Sequence, residues 1–249
     1  MTLESLLVSR DTELIRTLQP AFERFSVAVE ICVGPNAGTE IMATEHFDAV
    51  IVDCDDLRNA VDVLKSVRRS SANKTSVALA VVNGKTSTTD AFAMGANVVL
   101  QKPVSSVNAV RGAHAAVGMM ASERRRYYRH AVEFAVKAEF SQGGPCELKA
   151  TDISGGGLAL HFDGEFPGHP ITAVKFSLPG LDKTFEFQAT AAWVDERGRA
   201  GIRFVKGAAE TKRTLEGWLV EQFTQTCPEL AYLAEKHAGV PPSSTSKHP

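Results

Sequence analysis

Residues 105–140 read SSVNAVRGAHAAVGMMASERRRYYRHAVEFAVKAEF, and the periodicity of the chain changes within this stretch. Its first part, built of helix formers and small residues behind a serine cap, predicts a long helix running into an arginine cluster. From His130 the period becomes two, as in a strand with one face against a core. The helix therefore connects two domains of different class.

Upstream, from Leu3 to Pro103, apolar runs alternate five times with segments of helical period. SLLVS, SVAVEICV, AVIVD, SVALAVV and ANVVLQK are rich in Val and Ile and mostly lack alternation, which predicts parallel strands covered on both faces by helices. Asp11 can cap a helix with Leu14, Leu18 and Phe22 on one face, and Leu57, Val61, Leu64 and Val67 repeat that stripe. The expected fold is a doubly wound α/β domain with a five-stranded parallel sheet.

Downstream, HAVEFAVKAEF, LKATDI, GLALHF, ITAVKFSL, KTFEFQATAAWV and AGIRFV are separated by GG, GGG, DGEFPGHP, PGLD and ERGR. These segments predict an antiparallel barrel or sandwich, with Phe176, Trp193 and Phe204 in its core. Thr211 to Phe223 forms an amphipathic helix through Leu215, Trp218, Leu219 and Phe223. Thr226, Pro228 and Glu229 read as the cap, first-turn proline and capping-box acid of a short helix ending near Gly239, and VPPSSTSKHP (240–249) as a disordered tail.

A length of 249 residues accommodates two ordinary domains, and 44% hydrophobic with 22% charged residues supports real cores. With 27 basic and 29 acidic side chains the formal net charge is -2, which excludes a globally basic nucleic-acid binder and makes any anion site local. Cys32, Cys54, Cys146 and Cys227 are too scattered for a zinc site and are expected as free thiols in the cytoplasm. The opening MTLESLLVSRDTE reads as neither signal peptide nor membrane anchor. His114, His130, His161 and the other histidines lack ligand spacing. The Walker, H-E-x-x-H and G-x-S-x-G motifs are absent from the sequence, so the expectation is a protein that is not an enzyme, with no cofactor and no metal.

Arg124, Arg125, Arg126 and Arg129 bracket Tyr127 and Tyr128. They read either as a solvated helix end complementing its dipole or as guanidinium forks for phosphate oxygens and flat bases. Asp152-Ile153-Ser154-Gly155-Gly156-Gly157 reads either as a turn needing glycine at positive φ or as a base-reading element. In the second case Asp152 accepts from the N1 and N2 edge of guanine, Ser154 adds a short polar contact and Gly157 admits a ligand to the backbone.

R-x-x-x-R at Arg125 and Arg129, followed after a strand by D-x-S-x-x-G at Asp152, Ser154 and Gly157, resembles the PilZ domain. The likeness extends to AAWVDERGRAGIRFV and the helix around Trp218. It implies a six-stranded barrel that binds cyclic di-GMP through Arg124, Arg125, Arg129, Asp152, Ser154 and Gly157. The expected domains are 1–121, 122–225 for the barrel, and 226–249 for the short helix and tail.

The first domain resembles a response-regulator receiver, through its five strand-helix units, FDAVIVD ending at Asp53, and GANVVLQKP with Lys102 and Pro103. In that family the aspartate at the Asp53 position accepts a phosphoryl group beside a metal. Here Ser9 and Arg10 replace the acidic pair after the first strand, and Val82 and Asn83 replace the Ser or Thr after the fourth, which points to a pseudo-receiver. Lys102 can simply pair with Asp53, and Asp53, Asp55 and Asp56 can form a cation site or a solvated loop. The expected protein is a bacterial signalling adaptor: a cyclic di-GMP sensor with a receiver-like platform for an unidentified protein partner, and with no DNA binding, no membrane insertion and a homodimer left open. Its rivals are a phosphorylation-controlled response regulator and a single-stranded nucleic-acid binder using RRRYYR, the latter interrupted by Glu133, Glu139 and Glu147.

Overall fold

The structure, a computed structural model, describes residues 2–238 except 57, 165, 167 and 168. Leu57, Gly239, the tail 240–249 and part of the DGEFPGHP loop lie outside the described residues. Contacts divide the chain into two compact units, residues 1–124 with 229–249, and residues 125–228.

The first unit alternates β1 (Leu3–Val8), α1 (Thr12–Glu23), β2 (Val27–Cys32), α2 (Pro35–Thr44), β3 (Ala49–Asp53), α3 (Ala60–Arg69), β4 (Val77–Val82), α4 (Thr88–Ala93), β5 (Val98–Gln101) and α5 (Ser106–Arg126). The parallel sheet has the order β2-β1-β3-β4-β5, the doubly wound arrangement in which function gathers at the carboxyl ends of the strands. Every residue of β3 and β4 is buried, which is why AVIVD and VALAVV do not alternate. On one face Leu6, Val8, Val50, Val52, Ala78 and Ala80 pack with Val63, Leu64 and Val67 of α3. The buried stripe of α3 is Ala60, Val63, Leu64 and Val67, while Val61 packs at its margin.

Asp11 caps α1, its carboxylate accepting from the Glu13 and Leu14 amides at 3.0 Å. A second fixture is Asn73, fully buried in the turn that leads from α3 into β4. Its Oδ1 accepts from the Phe47 amide, and its Nδ2 donates to the Met42 and Glu45 carbonyls. The Ser76 hydroxyl, which donates to the Phe47 carbonyl at 2.6 Å, lies 3.1 Å from the same Oδ1.

The second unit contains β6 (His130–Phe140), β7 (Cys146–Ser154), β8 (Gly157–His161), β9 (Ile171–Ser177), β10 (Thr184–Val194), β11 (Arg199–Lys206) and α6 (Ala209–Thr226). The six strands close into an antiparallel barrel in the order β10-β11-β8-β7-β6-β9. Closure removes the unpaired sheet edges that an open meander would leave. Phe176 stacks near Phe134, Phe185, Phe187 and Phe204 at the centre, and Leu215, Trp218 and Leu219 of α6 join the same core. A final helix, α7 (Pro228–Ala238), belongs to the first unit by its contacts.

Two side chains depart from the sequence reading. Thr226 is the last residue of α6 and not the cap of α7, and its hydroxyl donates to the Gln222 carbonyl at 2.8 Å. Trp193 is 48% exposed and lies outside the barrel core. Phe185, Phe187 and Ala189 face inward at every second position, and strict alternation would carry Trp193 inward with them. A register shift between Ala191 and Trp193 reverses that parity, as a β-bulge does.

Asn73→Ala is expected to destabilise the first unit by about 1–3 kcal/mol, because it leaves the buried Phe47 amide without its partner and takes one donor each from the Met42 and Glu45 carbonyls. Thermal and urea unfolding measure this, and a change within experimental error would refute the role given to Asn73.

Candidate functional site

Arg126 ends α5 and His130 begins β6, so Tyr127, Tyr128 and Arg129 make the whole connection. On β7 the inward residues are Leu148, Ala150 and Ile153, which leaves Asp152 and Ser154 on the outer face. Arg129 reaches across to them. Its Nε donates to Asp152 Oδ1 at 2.6 Å, Nη2 pairs with the same carboxylate, and Nη1 donates to Ser154 Oγ at 3.3 Å. The pair is solvated, with Arg129 47% and Asp152 32% exposed.

The two motifs found in the sequence are thus brought together, but not all of their members. Arg125 is half-buried and its guanidinium has no ion-pair partner among the described residues. Arg124 instead belongs to the first unit, where its Nε and Nη2 grip both oxygens of Asp48, the latter bond measuring 2.9 Å. Asp48 is nearly buried and also accepts from the Glu4 amide, so its charge is fully compensated. Arg126 lies over the exposed ring of Tyr127 at 5.7 Å.

The glycines of the turn do a different task from the one expected of them. Gly155 and Gly156 connect β7 to β8, and no residue from Gly155 to Gly157 has positive φ. What requires glycine at 157 is the neighbouring strand, since a Cβ there would lie 2.0 Å from the Ile202 carbonyl oxygen. Ser154 steadies the hairpin by donating to the Gly157 carbonyl at 3.1 Å. The open backbone at Gly157 is therefore already occupied by β11.

Across the outer face, register runs from Asp152 to Ala159, to Gly201 and to Trp193. The Trp193 indole lies against Gly201, where a Cβ would come within 2.2 Å of its Nε1. Small residues between a carboxylate on β7 and a half-exposed indole from β10 make a shallow floor, with the ends on the order of 15 Å apart across three strand spacings. Arg203 stands on the same face, paired in register with Gly157, exposed and without an ion-pair partner among the described residues. Sequence reading weighs Trp193 as barrel core against a base-stacking surface and prefers the core, and it does not single out Arg203, because the bulge in β10 and the neighbours of β11 are not visible in strand periodicity.

The PilZ domain family model matches residues 123–221. This region of the chain is a PilZ domain. The N-terminal region matches solved receiver structures covering under half of this chain. A sensor protein from Polaromonas sp. JS666 shares 18% identity over 47% of this chain and 98% of its own, with a TM-score of 0.40. The receiver domain of a sensor histidine kinase from Pseudomonas aeruginosa PAO1, solved with magnesium coordinated in its active site cleft, shares 19% over 47% and 99%, with a TM-score of 0.39. A CheY-like response regulator receiver domain from Methylobacillus flagellatus shares 21% over 43% and 92%, with a TM-score of 0.38. No curated protein matches the chain. Among the described residues no helix is long and apolar enough to cross a membrane, and all four cysteines are free.

At the carboxyl end of the first unit's sheet, Asp11, Asp53 and Asp56 converge, each with an oxygen within 4.8 Å of the others. Asp55 is not part of the group: it accepts from the Asn83 and Thr86 amides and the Thr86 hydroxyl. Lys102, joined to Pro103 by a cis peptide bond, places its ammonium among the three carboxylates. Nζ lies 2.8 Å from Asp11 Oδ2 and 2.9 Å from Asp53 Oδ2, and also binds Asp56. Ser9, fully buried, donates to the same oxygen of Asp53 at 2.8 Å. Arg10 does not enter the group and donates to the Val33 carbonyl. Lys102 thus binds the same carboxylate oxygens through which Asp11, Asp53 and Asp56 could hold a cation, and it supplies the positive charge among them.

Desolvation raises the pKa of Asp53 despite its bonds to Lys102 and Ser9, and its Oδ1 has no hydrogen-bond partner among the described residues. Asp11, bonded to Lys102, is held below the usual carboxylate range. Burial opposes the charge of Lys102, but Asp11, Asp56 and Asp53 more than reverse this and raise its pKa. A raised Asp53 pKa means that its ionised form costs stability, and the cost appears as pH rises through the folded value. Asp53→Asn should therefore stabilise the protein at pH 7, with the gain shrinking as pH falls through the carboxylate range. Lys102→Met should destabilise it by about 3 kcal/mol at pH 7, chiefly by leaving the buried carboxylate of Asp53 without its counter-ion, the partly exposed Asp11 and Asp56 adding little. Thermal unfolding across pH reads both, and the opposite sign for either variant contradicts this account of the group.

Proposed function

We propose that the chain is a bacterial, cytoplasmic signalling adaptor that binds cyclic di-GMP on the outer face of its PilZ barrel. PilZ domains bind this dinucleotide as a ligand. The observation that carries the reading is the meeting of Arg129 with Asp152 and Ser154, a guanidinium fork of the kind that suits phosphate beside a carboxylate of the kind that suits the N1 and N2 edge of guanine. A solvated ion pair such as Arg129 with Asp152 contributes about 0–1 kcal/mol, whereas a charge-assisted hydrogen bond to an ionised group contributes about 1.5–3 kcal/mol. Opening the internal pair is therefore cheap relative to what phosphate and guanine return. Arg125, with no ion-pair partner among the described residues, takes the second anionic contact. Trp193 offers a flat surface for a base at the far end of the floor. Arg124, held by Asp48, anchors the end of α5 and is not assigned to the ligand.

In this reading the receiver-like unit is a platform for protein contact and not a phosphorylation switch, and neither unit catalyses a reaction. The nucleic-acid reading lacks a basic stripe. Lys149 pairs with Glu133, and Lys175 sits between Glu139 and Glu186, so these two cations are neutralised in place.

Calorimetric titration with cyclic di-GMP, beside GTP, linear di-GMP and short single-stranded RNA, tests the reading. Tight binding of cyclic di-GMP alone is expected. Arg125→Ala and Arg129→Ala should each weaken it by about 10- to 100-fold. Asp152→Ala should erode the preference for cyclic di-GMP over cyclic di-AMP. Wild-type affinity in a folded Arg129→Ala variant would refute the assignment.

For the first unit, incubation with Mg²⁺ and acetyl phosphate should leave the intact mass unchanged, because Lys102 holds the carboxylates and Asp53 is buried. A gain of one phosphoryl group that disappears in Asp53→Ala would promote the phosphorylation-controlled alternative.

A further inference from the structure

The chain enters the barrel unit at Arg125 and leaves it after Pro228. Tyr128, between the two arginines of the motif, touches the segments at both crossings. Its ring meets Phe223 of α6 edge-on at 5.1 Å. Its hydroxyl lies 3.1 Å from Thr226 Oγ1, at the end of α6, and 2.9 Å from His130 Nδ1, at the start of β6.

The direction of these bonds follows from the last one. Thr226 has a single hydroxyl proton and donates it to the Gln222 carbonyl at 2.8 Å. Toward Tyr128 its oxygen can then only accept, so the phenol proton points to Thr226. The phenol oxygen is left as an acceptor, and His130 must carry a proton on Nδ1. The result is a one-way chain from His130 through Tyr128 and Thr226 to Gln222, in which each bond polarises the next. The His130 ring is fixed from its other side, edge-on to Trp218 at 5.4 Å.

We propose that Tyr128 is a positioning residue, whose hydroxyl relay holds the Arg125–Arg129 segment on the end of α6 and couples the two crossings of the chain. The aromatic contacts could hold the segment by themselves, and the hydroxyl is what makes the two ends open together. Arg129 faces outward to Asp152 while Tyr128 is held on α6, so the relay sets the position from which the guanidinium reaches a ligand. Only this last consequence rests on the cyclic di-GMP reading.

Amide hydrogen exchange on the full chain, without ligand, tests the coupling. Tyr128→Phe keeps the ring and removes the relay, Thr226→Val removes its acceptor, and Thr226→Ser restores it. Tyr128→Phe and Thr226→Val should each speed exchange by about 2- to 10-fold in peptides covering both 125–130 and 222–230, as expected for loss of one hydrogen bond to local opening. The double variant should exchange no faster than either single one, and Thr226→Ser should match the parent. Faster exchange at only one crossing, or additive effects in the double variant, overturns the relay. Titrated with cyclic di-GMP, Tyr128→Phe should bind more weakly by a similar factor. Unchanged affinity despite faster exchange overturns the positioning role. A parent protein that does not bind cyclic di-GMP refutes the ligand reading alone, since the exchange arm still decides the relay.

Discussion

Only three residues separate helix α5 from strand β6, and the fate of their side chains governs the candidate site. Tyr128 turns onto α6 and Arg129 turns outward to β7. The two anchorages differ in strength. An aromatic pair adds about 0.5–1.5 kcal/mol beyond the area it buries, while a solvated ion pair contributes about 0–1 kcal/mol. The ring therefore holds the segment and the ion pair is the labile contact. A ligand can take Arg129 away from Asp152 without unfolding the start of the barrel.

The first unit shows the opposite economy of charge. Its carboxylates are gathered at the end of the sheet as in a cation site, yet Lys102 bridges them from the strand side. Coulomb attraction grows as local dielectric falls, so a lysine only 13% exposed is a better internal counter-ion than a surface cation. The same burial leaves Asp53 short of one hydrogen bond and raises its pKa. Such a group specifies one arrangement of the loops around it at some expense in stability.

Much of this was legible in the chain. AVIVD and VALAVV read as doubly covered strands because both of their faces are buried. The alternation from His130 onward reads as an antiparallel barrel or sandwich, the PilZ resemblance implies the barrel that the strands close into, and R-x-x-x-R with D-x-S-x-x-G marks two elements that the fold brings into contact. Long-range partners were not legible. Asp48 lies 76 residues before Arg124 in the chain, and nothing local marks it as the arginine's partner. Asp11, Asp53 and Asp56 around Lys102 come from the segment before α1, the end of β3 and the loop after it; Asp11 reads in the sequence as the one acid near the pocket, while Asp55, grouped with Asp53 and Asp56 by adjacency, bonds elsewhere. Parity failed at Trp193 for a reason internal to the strand: one bulge reverses every later residue. Gly157 reads in the sequence as admitting a ligand to the backbone, and the backbone that approaches it in the structure belongs to β11.

A crystal structure of the full chain with cyclic di-GMP is the most direct measurement of the central claim. The account predicts Arg129 withdrawn from Asp152 and bonded to a phosphate oxygen, with the Asp152 carboxylate on the N1 and N2 edge of a guanine. A bound dinucleotide elsewhere on the barrel, with the Arg129 to Asp152 pair intact, would contradict it.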